Sequence, residues 1–162
     1  MKKKLFTAML VFGLVAAPAS VDAKKNEDQR TPKWVKQAWN AGMRCPKIED
    51  DLRKIGLPVK GFSYLAWRES RCRAKVIGYN FKPRMGLHDC ADHTPDAMKR
   101  CAAVDSFDSG LWQVNSSWVT LTAQVCGAEW GNLEVLTKKN CNLRMAKTLF
   151  ENGGYQHWRI AR

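Results

Sequence analysis

Two stretches of the chain carry the residue types that acid–base chemistry needs. Glu69 and Ser70 close a run in which Phe62, Leu65 and Ala66 recur at helical spacing, and the same spacing brings Glu69 onto that apolar face. A carboxyl held against apolar side chains loses hydration of its charged form, so it can keep a proton near neutral pH and pass it to a leaving group. Arg68 and Arg71 stand one and two positions away, offsets that do not face Glu69 on a helix, and both guanidinium groups are expected to point elsewhere. The second stretch runs from Asp105 to Asn115 and offers two more carboxylates, Asp105 and Asp108, each followed by serine. Either could be the partner of Glu69 or an ordinary loop or cap residue. A third group, His88, Cys90, His93 and Cys101, has the atoms for a zinc site, but its spacing matches none of the usual frameworks, and neither metal nor cofactor is expected. His157 has no recognisable nucleophile motif near it and reads as a surface or packed residue.

The elements that must position these groups are mostly helical. Pro32 opens a helix in which Trp34, Val35, Ala38 and Trp39 share a face until Gly42. Ile48, Leu52 and Ile55 make a second short stripe, stopped by Gly56 and Pro58. The helix bearing Glu69 runs from about Gly61 toward Arg71. Between Ala74 and Asp105 the apolar residues keep no period, so an insertion or long loop tied by cysteines is expected, with a helical turn or two over 97–103. Leu111 to Trp118 alternates loosely and fits strand or helix. A last helix spans about Lys138 to Glu151, with Leu143, Ala146, Leu149 and Phe150 on one face and Gly153-Gly154 as its stop. Helices leave little room for an extended sheet.

Composition bounds the function. A chain of 162 residues that is 45% hydrophobic can bury one core, which excludes wholesale disorder and multidomain architectures. Residues 1–23 have the layout of a secretory signal: Lys2, Lys3 and Lys4, an apolar run over 5–17 too short to span a bilayer, then small residues up to an abrupt charged start at Lys24. The domain plan is therefore signal 1–23, flexible lead-in 24–31 and a single domain 32–162, secreted or periplasmic. Removing the signal takes away three Lys and one Asp, so most of the +12 net charge belongs to the working domain and suggests an anionic partner. Export also makes the six cysteines structural, with fifteen possible pairings. A Cys90–Cys101 bridge and a Cys126–Cys141 bridge would each close a short loop.

Taken in order, Glu69-Ser70, Gly110-Leu111-Trp112-Gln113-Val114-Asn115, Asn142, Gly153-Gly154 and Trp158 make the chain resemble the lysozyme and lytic transglycosylase superfamily, over roughly Gly61 to the C-terminus. The resemblance implies a mainly α, α+β fold: a helical domain with a small irregular or β segment flanking a substrate cleft. It implies a monomeric enzyme cutting the β-1,4 bond between N-acetylmuramic acid and N-acetylglucosamine in peptidoglycan strands, with Glu69 as proton donor. By the same resemblance Ser70 orients the acid or contacts substrate, Gln113 and Asn115 bond sugar hydroxyls or N-acetyl groups, Trp112 with Tyr155 or Trp158 offers flat faces to sugar rings, and Asn142 braces the site.

The second acid decides the mechanism. Asp108 stands two residues before Gly110, where animal-type lysozymes carry the negative partner of an oxocarbenium-like transition state. Lytic transglycosylases need no second acid, because one Glu protonates the leaving group and then takes a proton from the muramic 6-hydroxyl. The long spacing from Glu69 to Asp108 weakens the two-acid assignment, and the bacterial-looking signal and the single well-placed acid favour the transglycosylase type. The alternatives are a hydrolytic muramidase using Glu69 and Asp108, and a non-catalytic cationic wall-binding protein. Scattered Lys and Arg without a recognised motif speak against nucleic acid, and no stable membrane insertion is expected after signal cleavage.

Overall fold

The computed structural model describes residues 31–160. The expected signal, most of the lead-in and the last two residues lie outside them. Thr31, the end of the expected lead-in, is buried, with its hydroxyl 3.2 Å from the Tyr155 hydroxyl. Packing against the C-terminal part of the chain thus includes the residue before Pro32.

Helices α1 (Lys33–Asn40), α2 (Glu49–Ile55) and α3 (Val59–Ser70) follow the apolar stripes of the sequence. In α2, Glu49, Asp50 and Asp51 occupy the first turn and Arg53 and Lys54 the last, the distribution that complements the helix dipole, and Gly56 closes it in a left-handed conformation. Glu49 is buried but not idle: its carboxylate accepts hydrogen bonds from Trp39, Arg44 and Ser63, locking α1, α2 and α3 together. Phe62 of α3 sits at the centre of the core, touching the rings of Trp112, Phe150, Tyr155 and Trp158. Edge-to-face and offset contacts of this kind suit the aromatic quadrupole.

Three antiparallel strands follow, in spatial order β1 (Ile77–Phe81), β2 (Val104–Ser109) and β3 (Val114–Asn115). Between β1 and β2 lies α4 (Pro95–Arg100), capped by the Thr94 hydroxyl. The stretch from Ala74 to Asp105, expected to be an irregular insertion, therefore contains a strand, a short helix and the start of another strand. Its strands are mostly half-buried on both faces, so they lack the apolar–polar alternation by which a strand announces itself. A small separate cluster of Cys90, Met98 and Ala103, backed by Tyr79 and Phe81, gives the insertion its own packing. The 110–118 stretch resolves into a turn, β3 and a short 3-10 segment, Ser116–Trp118.

The chain continues through α5 (Val119–Cys126) to α6 (Lys139–Gly153), whose buried face holds Leu143, Met145, Ala146, Leu149 and Phe150. A closing 3-10 segment, Gly154–Trp158, folds back on the core. Lys139 ties α6 to α2 by a 2.6 Å bond to Asp51, and this bond holds the Asp51 carboxyl below the usual carboxylate range. The architecture is mainly helical with one small antiparallel sheet. All six cysteines are paired, as Cys45–Cys72, Cys90–Cys101 and Cys126–Cys141. Among the described residues no helix is long and apolar enough to cross a membrane.

Candidate active-site cleft

The geometry of the site begins at the end of α3. After Ser70 the chain takes two successive left-handed residues, Arg71 (φ 52°) and Cys72 (φ 64°), with Arg71 N–H donating to Trp67 O and Cys72 N–H to Ala66 O. These bonds satisfy carbonyls that the helix end would otherwise leave open, and they stop the helix just past Glu69. The Cys45–Cys72 bridge fastens this turn to the segment before α2. Glu69 is left at the rim of an open cleft of about 710 Å³, lined also by Arg68, Asn80, Ser106, Asp108, Gln113, Asn115, Trp118, His157 and Arg159.

The opposite side of this cleft is the sheet. Period-two alternation along β2 puts Ser106 and Asp108 on one face and Asp105 on the other, so Asp108 lines the cleft and Asp105 does not. Asp108 pairs across the strands with Asn115 of β3. Its two carboxylate oxygens are held separately: Asn115 Nδ2 donates to Oδ1 at 2.8 Å and Asn80 Nδ2 to Oδ2 at 2.8 Å. Both amides also reach Ser106 Oγ. Such a clasp fixes where the carboxyl group points.

Glu69 is held on one side only. Arg68 Nε donates to Glu69 Oε1 at 2.8 Å, and the guanidinium also pairs with the same oxygen through Nη2. The same Nη2 donates to the backbone carbonyl of Trp158 at 2.6 Å. This corrects the expectation that Arg68 points away. Adjacent residues do diverge on an ideal helix, but the Arg68 side chain is long enough to fold back when a carbonyl from the closing segment anchors its far end. Arg71 does turn elsewhere, its guanidinium 3.8 Å from the centre of the Trp67 ring. Glu69 Oε2 accepts no hydrogen bond among the described residues, and the Glu69 side chain is about a quarter exposed, at 24%. That oxygen is available to a ligand.

The other expected contact residues divide sharply. Gln113 and Asn115 line the cleft, but their amide N–H groups are engaged. Gln113 Nε2 donates to the carbonyls of Val76 and Gly110, at 3.2 and 2.9 Å, and stabilises its own left-handed backbone (φ 47°). Asn115 serves Asp108 and Ser106, while its Oδ1 accepts from Ser117 N–H. Ser70, Trp112 and Asn142 are corrected to interior positions. Ser70 is buried and its hydroxyl donates to Ala66 O; Trp112 is fully buried and donates from Nε1 to Phe62 O. Asn142 is buried too, accepting from Trp112 N–H at 3.0 Å and donating to Ser109 O at 2.9 Å, so it braces the 110–113 turn from α6. Tyr155 lines a different hollow of about 860 Å³, formed by Thr31, Trp34, Phe150 and their neighbours. That hollow is larger, yet it lacks the paired carboxylates that make the smaller cleft chemically distinctive.

Sequence reasoning missed Asn80, Trp118 and Arg159 as cleft residues. Asn80 is on a strand that was not foreseen, and the polar type plus strand pairing would have been its only signal. Trp118 was read only as the end of an ambiguous segment; it is 37% exposed and presents an indole to the cleft. His157, expected at the surface or packed, lines the same cleft and meets the Trp118 ring at 5.6 Å, near-perpendicular. The histidine and cysteine group of the insertion is organised otherwise than for zinc: Cys90 and Cys101 are bonded to each other, and His93 Nε2 lies 3.1 Å from the carbonyls of Leu87 and Cys90. Among the described residues no group of three or more His, Cys, Asp or Glu converges on a common point.

Comparison with family models returns no match, and comparisons with curated proteins and with solved structures return no significant match.

Proposed function

We propose that the protein is a peptidoglycan-cleaving glycosidase of the lysozyme-like type, secreted or periplasmic, in which Glu69 protonates the oxygen of the β-1,4 bond between N-acetylmuramic acid and N-acetylglucosamine. The observation that carries this reading is the sharing of one open polar cleft by Glu69, at the end of a helix packed on the aromatic core, and Asp108, on the facing sheet. A glycosidic bond breaks through an oxocarbenium-like transition state that needs a proton on the leaving oxygen and, in the two-carboxylate mechanism, negative charge beside the sugar. Glu69 Oε2 is the open oxygen for the first task. Arg68 occupies Oε1, so the leaving oxygen would approach from the Oε2 side.

The sequence favoured the one-acid lytic transglycosylase. The clasp of Asn80 and Asn115 on Asp108 favours the second reading, a hydrolytic muramidase, because it supplies a fixed carboxylate facing the same space. Both versions require Glu69. Glu69→Gln should lower release of soluble muropeptides from purified peptidoglycan by about 10³-fold, the scale of a general acid. Unchanged release in the variant sinks both versions, whereas no release by the wild-type chain leaves the non-catalytic wall-binding alternative. Product mass separates the two chemistries, since an anhydro-muramic end is one water lighter than a reducing end.

A further inference from the structure

Two arginines and two carboxylic residues line the cleft: Arg68, Arg159, Glu69 and Asp108. Three of them are engaged by protein groups. Arg68 holds Glu69 and the Trp158 carbonyl, and Asp108 is taken by the two amides. The Arg159 guanidinium has neither a hydrogen bond nor an ion pair among the described residues. Its base is nevertheless fixed. Arg159 follows buried Trp158, adopts a left-handed backbone (φ 49°) and donates its N–H to Gln156 O at 3.0 Å, which closes the 154–158 turn. Among the described residues, a guanidinium without a partner is thus mounted at the edge of a cleft in which Arg68 holds Glu69 Oε1 and two amides hold Asp108.

We propose that Arg159 is a specificity-determining residue that pairs with a carboxylate borne by the sugar, so that the cleft selects an anionic glycan over a neutral one of the same backbone. This inference rests on the glycan-cleaving reading. A planar guanidinium matches a carboxylate with two parallel N–H···O bonds, which a hydroxyl or acetamido group cannot reproduce. Neutral sugar rings can use the exposed Trp118 indole, and they gain nothing from Arg159. A muramic residue whose lactyl arm bears no peptide carries such a carboxylate, whereas a lactyl arm amidated by a stem peptide, or a chitin strand, offers none at that place.

The probe is the N-acetylglucosaminyl-N-acetylmuramic acid disaccharide with a free lactyl carboxylate, compared with its neutral methyl ester. Both are titrated into the full chain and followed by NMR. The wild-type chain should bind the acid about tenfold more tightly than the ester, in line with one charge-assisted contact. In Arg159→Gln the two ligands should bind alike, at the ester's affinity, with the ester itself unaffected. A preference for the acid that survives in Arg159→Gln overturns the proposal. Equal affinities in the wild-type chain overturn it too and leave the glycan reading standing, while binding of neither sugar overturns both.

Discussion

Asp108 has both oxygens engaged by amides, while Glu69 keeps Oε2 unengaged. The two carboxyl groups thus differ in freedom, Asp108 being fixed at both oxygens and Glu69 at one. Asp108→Asn places an amide where Asn80 and Asn115 both donate, so one donor must turn away and the negative charge is lost. If the two-carboxylate version holds, steady-state turnover on peptidoglycan should fall about 10²-fold with folding intact by circular dichroism; unchanged turnover assigns the reaction to Glu69 alone. Asn142 tests a structural role at the same scale. Asn142→Ala removes the bonds that Asn142 makes to Trp112 N–H and Ser109 C=O in the interior and should cost about 3 kcal/mol in urea unfolding. What was legible here was order: Glu69, Asp108, Gln113 and Asn115 were singled out and share the cleft. What was not legible was depth. Trp112 and Gln113 are neighbours in sequence, yet one is core and the other rim, because the tight turn begun at Gly110 sends them to opposite sides.

At the scale of elements, the helices were read well and the sheet poorly. α3 and α6 have one wide apolar face each, so their period shows, and their observed limits fall within two residues of the expected ones. β1 and β2 have no fully dry face, and their pairing partners are separated by the whole insertion, so nothing local marks them. The same local invisibility applies to the close approach at Gly110. Its φ is +83°, and a Cβ there would lie 2.4 Å from Leu136 O and 2.5 Å from the Asn142 side chain. Gly110→Ala should therefore push the 110–113 turn away from α6. The expected loss is about 3 kcal/mol, combining the left-handed penalty with overpacking. Chemical denaturation measures it, and a near-neutral result would show that the turn yields without strain.

For the whole molecule, two separate packing units stand behind the cleft. The main core joins α1, α2, α3 and α6 around Phe62, and the insertion has its own small cluster around Met98. The Cys45–Cys72 bridge belongs to the main unit and fastens the turn that ends the helix of Glu69. Replacing both cysteines by alanine should lower unfolding free energy by about 3 kcal/mol, the scale expected for a loop of this length. It should also reduce activity in conditions where the fold remains intact, because the end of α3 is released; full activity in the folded double variant would separate the bridge from the site.

The bridges have one more property as a set. They join positions 45 to 72, 90 to 101 and 126 to 141, and no loop encloses a cysteine of another pair. As the chain is made from its N-terminus, each second cysteine emerges when its proper partner is the only earlier thiol still waiting. Of the fifteen pairings open to six cysteines, the observed one is thus the one that simple order of appearance would select if each pair closed as it formed. A chain oxidised in that order would need no reshuffling.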